Sequence, residues 1–99
     1  MNRREYPVRL TVNGRRIVKV IIDSHYELKH SDSITDALIL DLVNLLSGKS
    51  FEPDAETDGF QYFVADNLVH EENRYRLIWM LERDEFYVGV VNAYRRRNE

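Results

Sequence analysis

Cysteine is absent from these 99 residues. That excludes disulfide bridges, thiolate nucleophiles and cysteine-based metal sites. Glycine is scarce, and Gly14, Gly48, Gly59 and Gly89 stand alone. Isolated glycines build neither a phosphate-cradling loop nor a dinucleotide fingerprint. Long apolar runs are missing as well. The longest are far too short to span a bilayer, and "MNRREYPVRL" lacks the apolar stretch of a signal peptide. The expectation is a cytoplasmic protein with no membrane attachment. His25 and His30 are five positions apart, and neither H-x-x-x-H nor H-E-x-x-H occurs. No metal site and no cofactor are expected from such spacing.

Apolar residues make up 43% of the chain and charged residues 31%. That balance suits one small globular domain over residues 1–99. The formal net charge is −3, yet 11 of the 14 basic residues are arginines, gathered near the two ends. Between Ile17 and Asn73 the basic residues are Lys19, Lys29 and Lys49 alone, amid many acids. A local positive face on an acidic protein is a phosphate-binding signal.

The opening run "YPVRLTVNGRRIVKVII" reads as a hairpin. Asn13-Gly14 supplies the two positive-φ positions of a type I′ turn. This pairs Val12 with Arg15, Leu10 with Ile17 and Val8 with Lys19. Ser24 and Glu27 form a capping-box pattern, so a short helix is expected over about 25–30. Ser33 and Asp36 mark a second helix start. Ile34, Leu38, Leu42, Leu45 and Leu46 then recur at helical spacing up to Gly48. "KSFEPDAETDG" reads as an acidic loop. Three strand-like runs follow: "FQYFVAD", "NRYRLIWMLE" and "EFYVGVVNAYRRR". The alternation puts Tyr75, Leu77, Trp79 and Leu81 on one face, with Arg74, Arg76, Ile78 and Met80 on the other. In the last run it puts Phe86, Val88, Val90 and Tyr94 together, with Trp79 and Phe86 read as core. The expected class is α+β: an N-terminal β-hairpin, one short and one long helix, then a three-stranded antiparallel meander, in the order β-β-α-α-β-β-β.

One chemistry fits residues of these types. Metal-independent RNA cleavage needs a group to take the 2′-hydroxyl proton, another to protonate the leaving oxygen, and cations for the phosphate. Histidine, tyrosine, lysine and arginine supply all three, provided that they converge in space. His25, Lys29, His30, Arg76, Tyr94, Arg95 and Arg96 are the candidates.

The C-terminal pattern carries a family likeness. An arginine-bearing strand, a short polar turn, and a strand ending in an aromatic plus arginines stand in "NRYRLIWMLERDEFYVGVVNAYRRR". This resembles the RelE/ParE-like toxin superfamily of toxin–antitoxin modules. "HYELKH" is similar to the histidine-containing first helix of some divergent relatives. The resemblance implies a toxin-like endoribonuclease with an antitoxin partner and RNA or the ribosome as target. It makes Arg76 a phosphate or transition-state cation, and Tyr94 and Arg95 the terminal aromatic and basic residues. His25 and Lys29 rest on the chemistry alone, as do His30 and Arg96 in binding substrate. The alternative from another class is a non-catalytic interaction module, forming a homodimer through edge strands or binding and inhibiting a protein target.

Overall fold

The computed structural model describes residues 3–23 and 34–96. They form six strands and one helix: β1 (Arg3–Val12), β2 (Arg15–Asp23), α1 (Asp36–Asn44), β3 (Ala55–Thr57), β4 (Phe60–His70), β5 (Asn73–Glu82) and β6 (Tyr87–Arg96). All the strands join one sheet in the order β1-β2-β6-β5-β4-β3. The β2–β6 pair is parallel and every other pair is antiparallel.

The N-terminal hairpin turns at Asn13 and Gly14, with φ of 52° and 71°. Val12 pairs with Arg15 and Leu10 with Ile17, as the turn chemistry dictates. Beyond them the register shifts, and Lys19 meets Pro7 in place of the expected Val8. After that shift Val20 and Ile22 join Ile17 in the core, while Ile21 goes to the opposite face. Asn13 also leaves the hairpin. Its amide nitrogen donates to the Phe51 carbonyl at 3.1 Å, and its amide oxygen accepts from the Phe51 N–H at 2.6 Å. With the Gly48 N–H on the Thr11 carbonyl at 2.7 Å, this ties the chain leaving the helix to the hairpin tip.

The helix starts at Thr35. Its hydroxyl accepts from the Leu38 N–H at 3.1 Å, and a capping hydroxyl of this kind contributes about 1 kcal/mol. Ile39, Leu42 and Val43 are buried against the sheet, with Ile34 and Leu46 beside them. The Asp36 carboxylate receives Arg4 Nε and the Tyr6 hydroxyl, both at 2.5 Å. Helix and first strand are thus pinned at that end. The accepting carboxylate raises the Tyr6 phenol above its usual range.

The core lies between helix and sheet. Trp79 and Phe63, paired across β5 and β4, stack at 4.2 Å, and Phe51 meets Trp79 edge-on at 5.5 Å. Leu77, Leu81, Val88 and Ala93 complete it from neighbouring strands. Offset-stacked and edge-to-face arrangements are those that the ring quadrupole favours.

These observations correct the expected α+β order with two helices. The described residues are mostly strand, with a single nine-residue helix. The short helix expected over 25–30 lies outside the described residues. The second helix is shorter than its apolar periodicity implies, because Thr35 caps it where Ser33 was expected to, and Leu45 closes it before Gly48. The acidic loop contributes a further strand, β3. It pairs Ala55, Glu56 and Thr57 with Tyr62, Gln61 and Phe60 around a turn at Asp58 and Gly59, with φ of 50° and 85°. Asp-Gly is a hairpin turn of the same chemistry as Asn-Gly. Acids are tolerated there because every β3 residue is exposed, as suits a charged edge strand. The meander is therefore four-stranded. Phe86, expected in the core, is 57% exposed, because it precedes β6 in the connection.

Asn13 offers a direct check on this framework. Asn13→Gly keeps a residue at ease with positive φ and deletes both bonds to Phe51. We expect a loss of about 1–3 kcal/mol in urea unfolding, with the native circular dichroism spectrum retained.

Candidate functional site

The helix covers one face of the sheet, and no described element packs on the other. Two irregularities decide what that open face carries. In β6 the register with β5 shifts between Ile78 and Trp79, so that Trp79 meets Val90 while Ile78 meets Asn92. Val91 is left unopposed. An extra residue of this kind reverses the alternation beyond it. Val88, Val90 and Ala93 consequently all reach the core, and Tyr94 turns to the open face opposite Arg76. In β4 the register shifts between Ala65 and Leu68. Asn67 there has a φ of 64°, and the adjacent Asp66 reaches the ends of β5 and β6.

The outcome is a cluster at one end of the open face. The Arg76 guanidinium carbon lies 5.8 Å from the centroid of the Tyr94 ring, within cation–π range. Arg76 Nε is buried and has no hydrogen-bond partner. Arg96 donates to the Asp66 carboxylate. That bond, then the charges of Arg96 and Arg76, hold the Asp66 carboxyl below the usual range. Arg74 sits directly opposite Arg96.

The candidates from the sequence divide as follows. Arg76, Tyr94 and Arg96 are brought together. Arg95 pairs with Tyr75, which is buried on the helix side, so it emerges there and is exposed. His25, Lys29 and His30 lie outside the described residues. His70 is on the helix side, where Nε2 stands 3.5 Å from Asp41 Oδ2. Among the described residues no cluster of three or more metal-ligating side chains occurs. None of the described helices is long and apolar enough to cross a membrane.

Asp66 was not among the expected site residues. The Asp-Asn pair inside a strand-like run is the signal that marks it, since both residues tolerate the irregular backbone of a bulge. Tyr87 was likewise unforeseen. Its hydroxyl donates to Glu82 Oε1 at 2.5 Å. Burial and that carboxylate push its phenol up from 10.0 to about 12. A polar cavity of about 420 Å³ lies at the opposite end of the sheet, lined by Arg15, Arg83, Glu56 and Asp58 among others. It mixes charges of both signs, and Arg15 is engaged there with the Glu82 carbonyl at 2.6 Å.

No known protein family, curated protein or solved structure matches this chain.

The Tyr87 environment has a measurable signature. Its phenol keeps its proton longer in the folded state than in the unfolded one, so its contribution to stability is complete below pH 10 and is lost as pH rises towards 12. In a tyrosinate absorbance titration, one phenol should ionise near pH 12, and Tyr87→Phe should remove that late step. Glu82→Gln should bring it to lower pH.

Proposed function

We propose that this protein is a toxin-like, metal-independent RNA endonuclease of the RelE/ParE-like kind, which holds single-stranded RNA on its open sheet face. The observation that carries the reading is Arg76. Its guanidinium is fixed by the Tyr94 ring and carries a buried, unpartnered Nε–H. A buried donor without an acceptor costs about 1–3 kcal/mol, and a turn of the side chain that uncovers this N–H to a phosphate oxygen would recover it. Arginine is also the cation best shaped for phosphate.

In this reading Arg76 and Arg96 neutralise the scissile phosphate. The RNA 2′-hydroxyl oxygen bonds to phosphorus as the bond to the 5′-oxygen breaks, leaving a 2′,3′-cyclic phosphate and a 5′-hydroxyl. One proton leaves the 2′-hydroxyl and another reaches the departing 5′-oxygen. Tyr94 stands beside the cation and is suited to handling one of them. His25 is the further candidate on the chemistry of imidazole, with Lys29 and His30 as cations nearby in sequence. The Asp66 carboxylate tempers the positive charge, and displacement of its bond to Arg96 by phosphate is a built-in exchange. Such a protein acts in the cytoplasm on free or ribosome-bound RNA, and an antitoxin would silence it by covering the same face.

A non-catalytic reading is favoured by one observation. Val64, Ile78 and Met80 are only half-buried on that face, and an apolar strip is also what a protein partner would cover. Incubating the purified protein with single-stranded RNA in EDTA separates the two. We expect products ending in cyclic phosphate, and a loss of at least about a hundredfold in cleavage for Arg76→Ala. A folded Arg76→Ala protein that cleaves undiminished would falsify the role given to this arginine. Binding of a protein partner with no RNA cleavage at all would support the interaction module instead.

A further inference from the structure

Beyond the arginine cluster the open face continues into a cleft of about 280 Å³. Its walls are Ile21 of β2, Met80 of β5, and Tyr87 and Val91 of β6, with Gly89 among them. The cleft exists because of the two pairings that meet there: Ile21 lies beside Gly89 across the parallel seam, and Met80 beside Gly89 across the antiparallel one. Gly89 has no side chain to separate them. A Cβ at that position would stand 2.7 Å from Met80 Cε and 2.9 Å from Met80 Cγ, so only glycine lets Met80 lie flat over the strand. Arg3 and Asp23, opposite each other in register, stand at the rim.

We infer that this cleft is a nucleobase subsite, which takes one unstacked base of the strand whose phosphate is held at Arg76. The inference rests on the RNA reading of the preceding subsection and adds a second point of contact to it. Three features fit a planar base better than an aliphatic side chain. The thioether of Met80 and the ring of Tyr87 are polarizable surfaces that favour π-systems. Arg3 at the rim offers a guanidinium, a donor that meets a base edge. The cleft also lies on the same sheet face as the arginines. Met80 is four residues along β5 from Arg76, about 13 Å at the rise of a strand, which an unstacked dinucleotide spans. Ile78 and Asn92, paired between the two points, form the floor along which the backbone of that strand would run. Tyr62, opposite Met80 on β4, extends the aromatic surface sideways.

The test uses the full chain and non-cleavable single-stranded 2′-deoxy oligonucleotides. One is intact, and a set carries a single abasic sugar at successive positions. The readouts are affinity and the ¹³C-methyl spectrum, in which Met1 is the only other methionine. We expect the Met80 and Ile21 methyl signals to move with the intact strand. One abasic position should abolish that movement and weaken binding about tenfold. Gly89→Ala, which forces Met80 off its place over the strand, should weaken the intact strand by a similar factor and leave the abasic strand unaffected. The abasic series on the unaltered protein decides the matter if that variant fails to fold. Equal binding of intact and abasic strands, lost in Arg76→Ala and with Met80 unmoved, overturns the subsite and leaves the phosphate reading intact. Failure of every strand to bind overturns both. Met80 shifts that follow protein concentration instead of added strand overturn the subsite in favour of self-association.

Discussion

The parallel seam between β2 and β6 holds the molecule together. Only four residue pairs make it, Lys19 to Ile22 against Tyr87 to Val90, with the Val18 N–H on the Phe86 carbonyl at 2.8 Å as its lead-in. Without it the N-terminal hairpin and the C-terminal meander would be two separate antiparallel sheets. With it, Val20 and Ile22 stand beside Val88 and Val90 in one continuous buried layer. Parallel pairing needs a crossover that returns the chain to the same end of the sheet. The α1 segment runs within that crossover and covers the layer that the seam completes. Core and open face therefore have a common origin.

The open face depends on departures from regular strand geometry. A strictly alternating β6 would send Tyr94 to the same side as Val90, among the helix-facing residues. The unopposed Val91 prevents that and sets the phenol beside Arg76. The irregular step at Asp66 and Asn67 does the complementary task on β4, by carrying a carboxylate to Arg96. Each device costs ladder hydrogen bonds and reverses the alternation, which sends Ala93 and Leu68 to the core and the neighbouring Tyr94 and Asp66 to the open face. Bulges with that balance are characteristic of surfaces where a side chain has to be aimed.

How much of this was legible in the residues follows from the same geometry. The Asn13-Gly14 turn was legible, because its dihedral demands select those two residues. The arginine face of β5 was legible, because that strand alternates without interruption from Asn73 to Glu82. The face of Tyr94 was not, since a bulge after Val90 leaves no mark in composition: valine precedes valine there. Strand β3 was obscured by its acids, although Asp58-Gly59 announced the turn. The turn between β4 and β5 is harder still. It is formed by Glu71 and Glu72 at φ of 50° and 70°, a conformation that glutamate adopts only under the constraint of the strands on both sides. Of the candidate site, the cations and the tyrosine could be read from the chain, whereas Asp66 and the Gly89 cleft arise from register and so required coordinates.

The outermost strands carry one more implication. Proline at position 7 removes an amide donor from β1, and the register slips just beyond it. The opposite border is only three residues long, bears a glutamate, and is open to water throughout. Neither margin is a good template for main-chain zippering by another polypeptide. The sheet is thereby guarded against edge-to-edge growth into fibres.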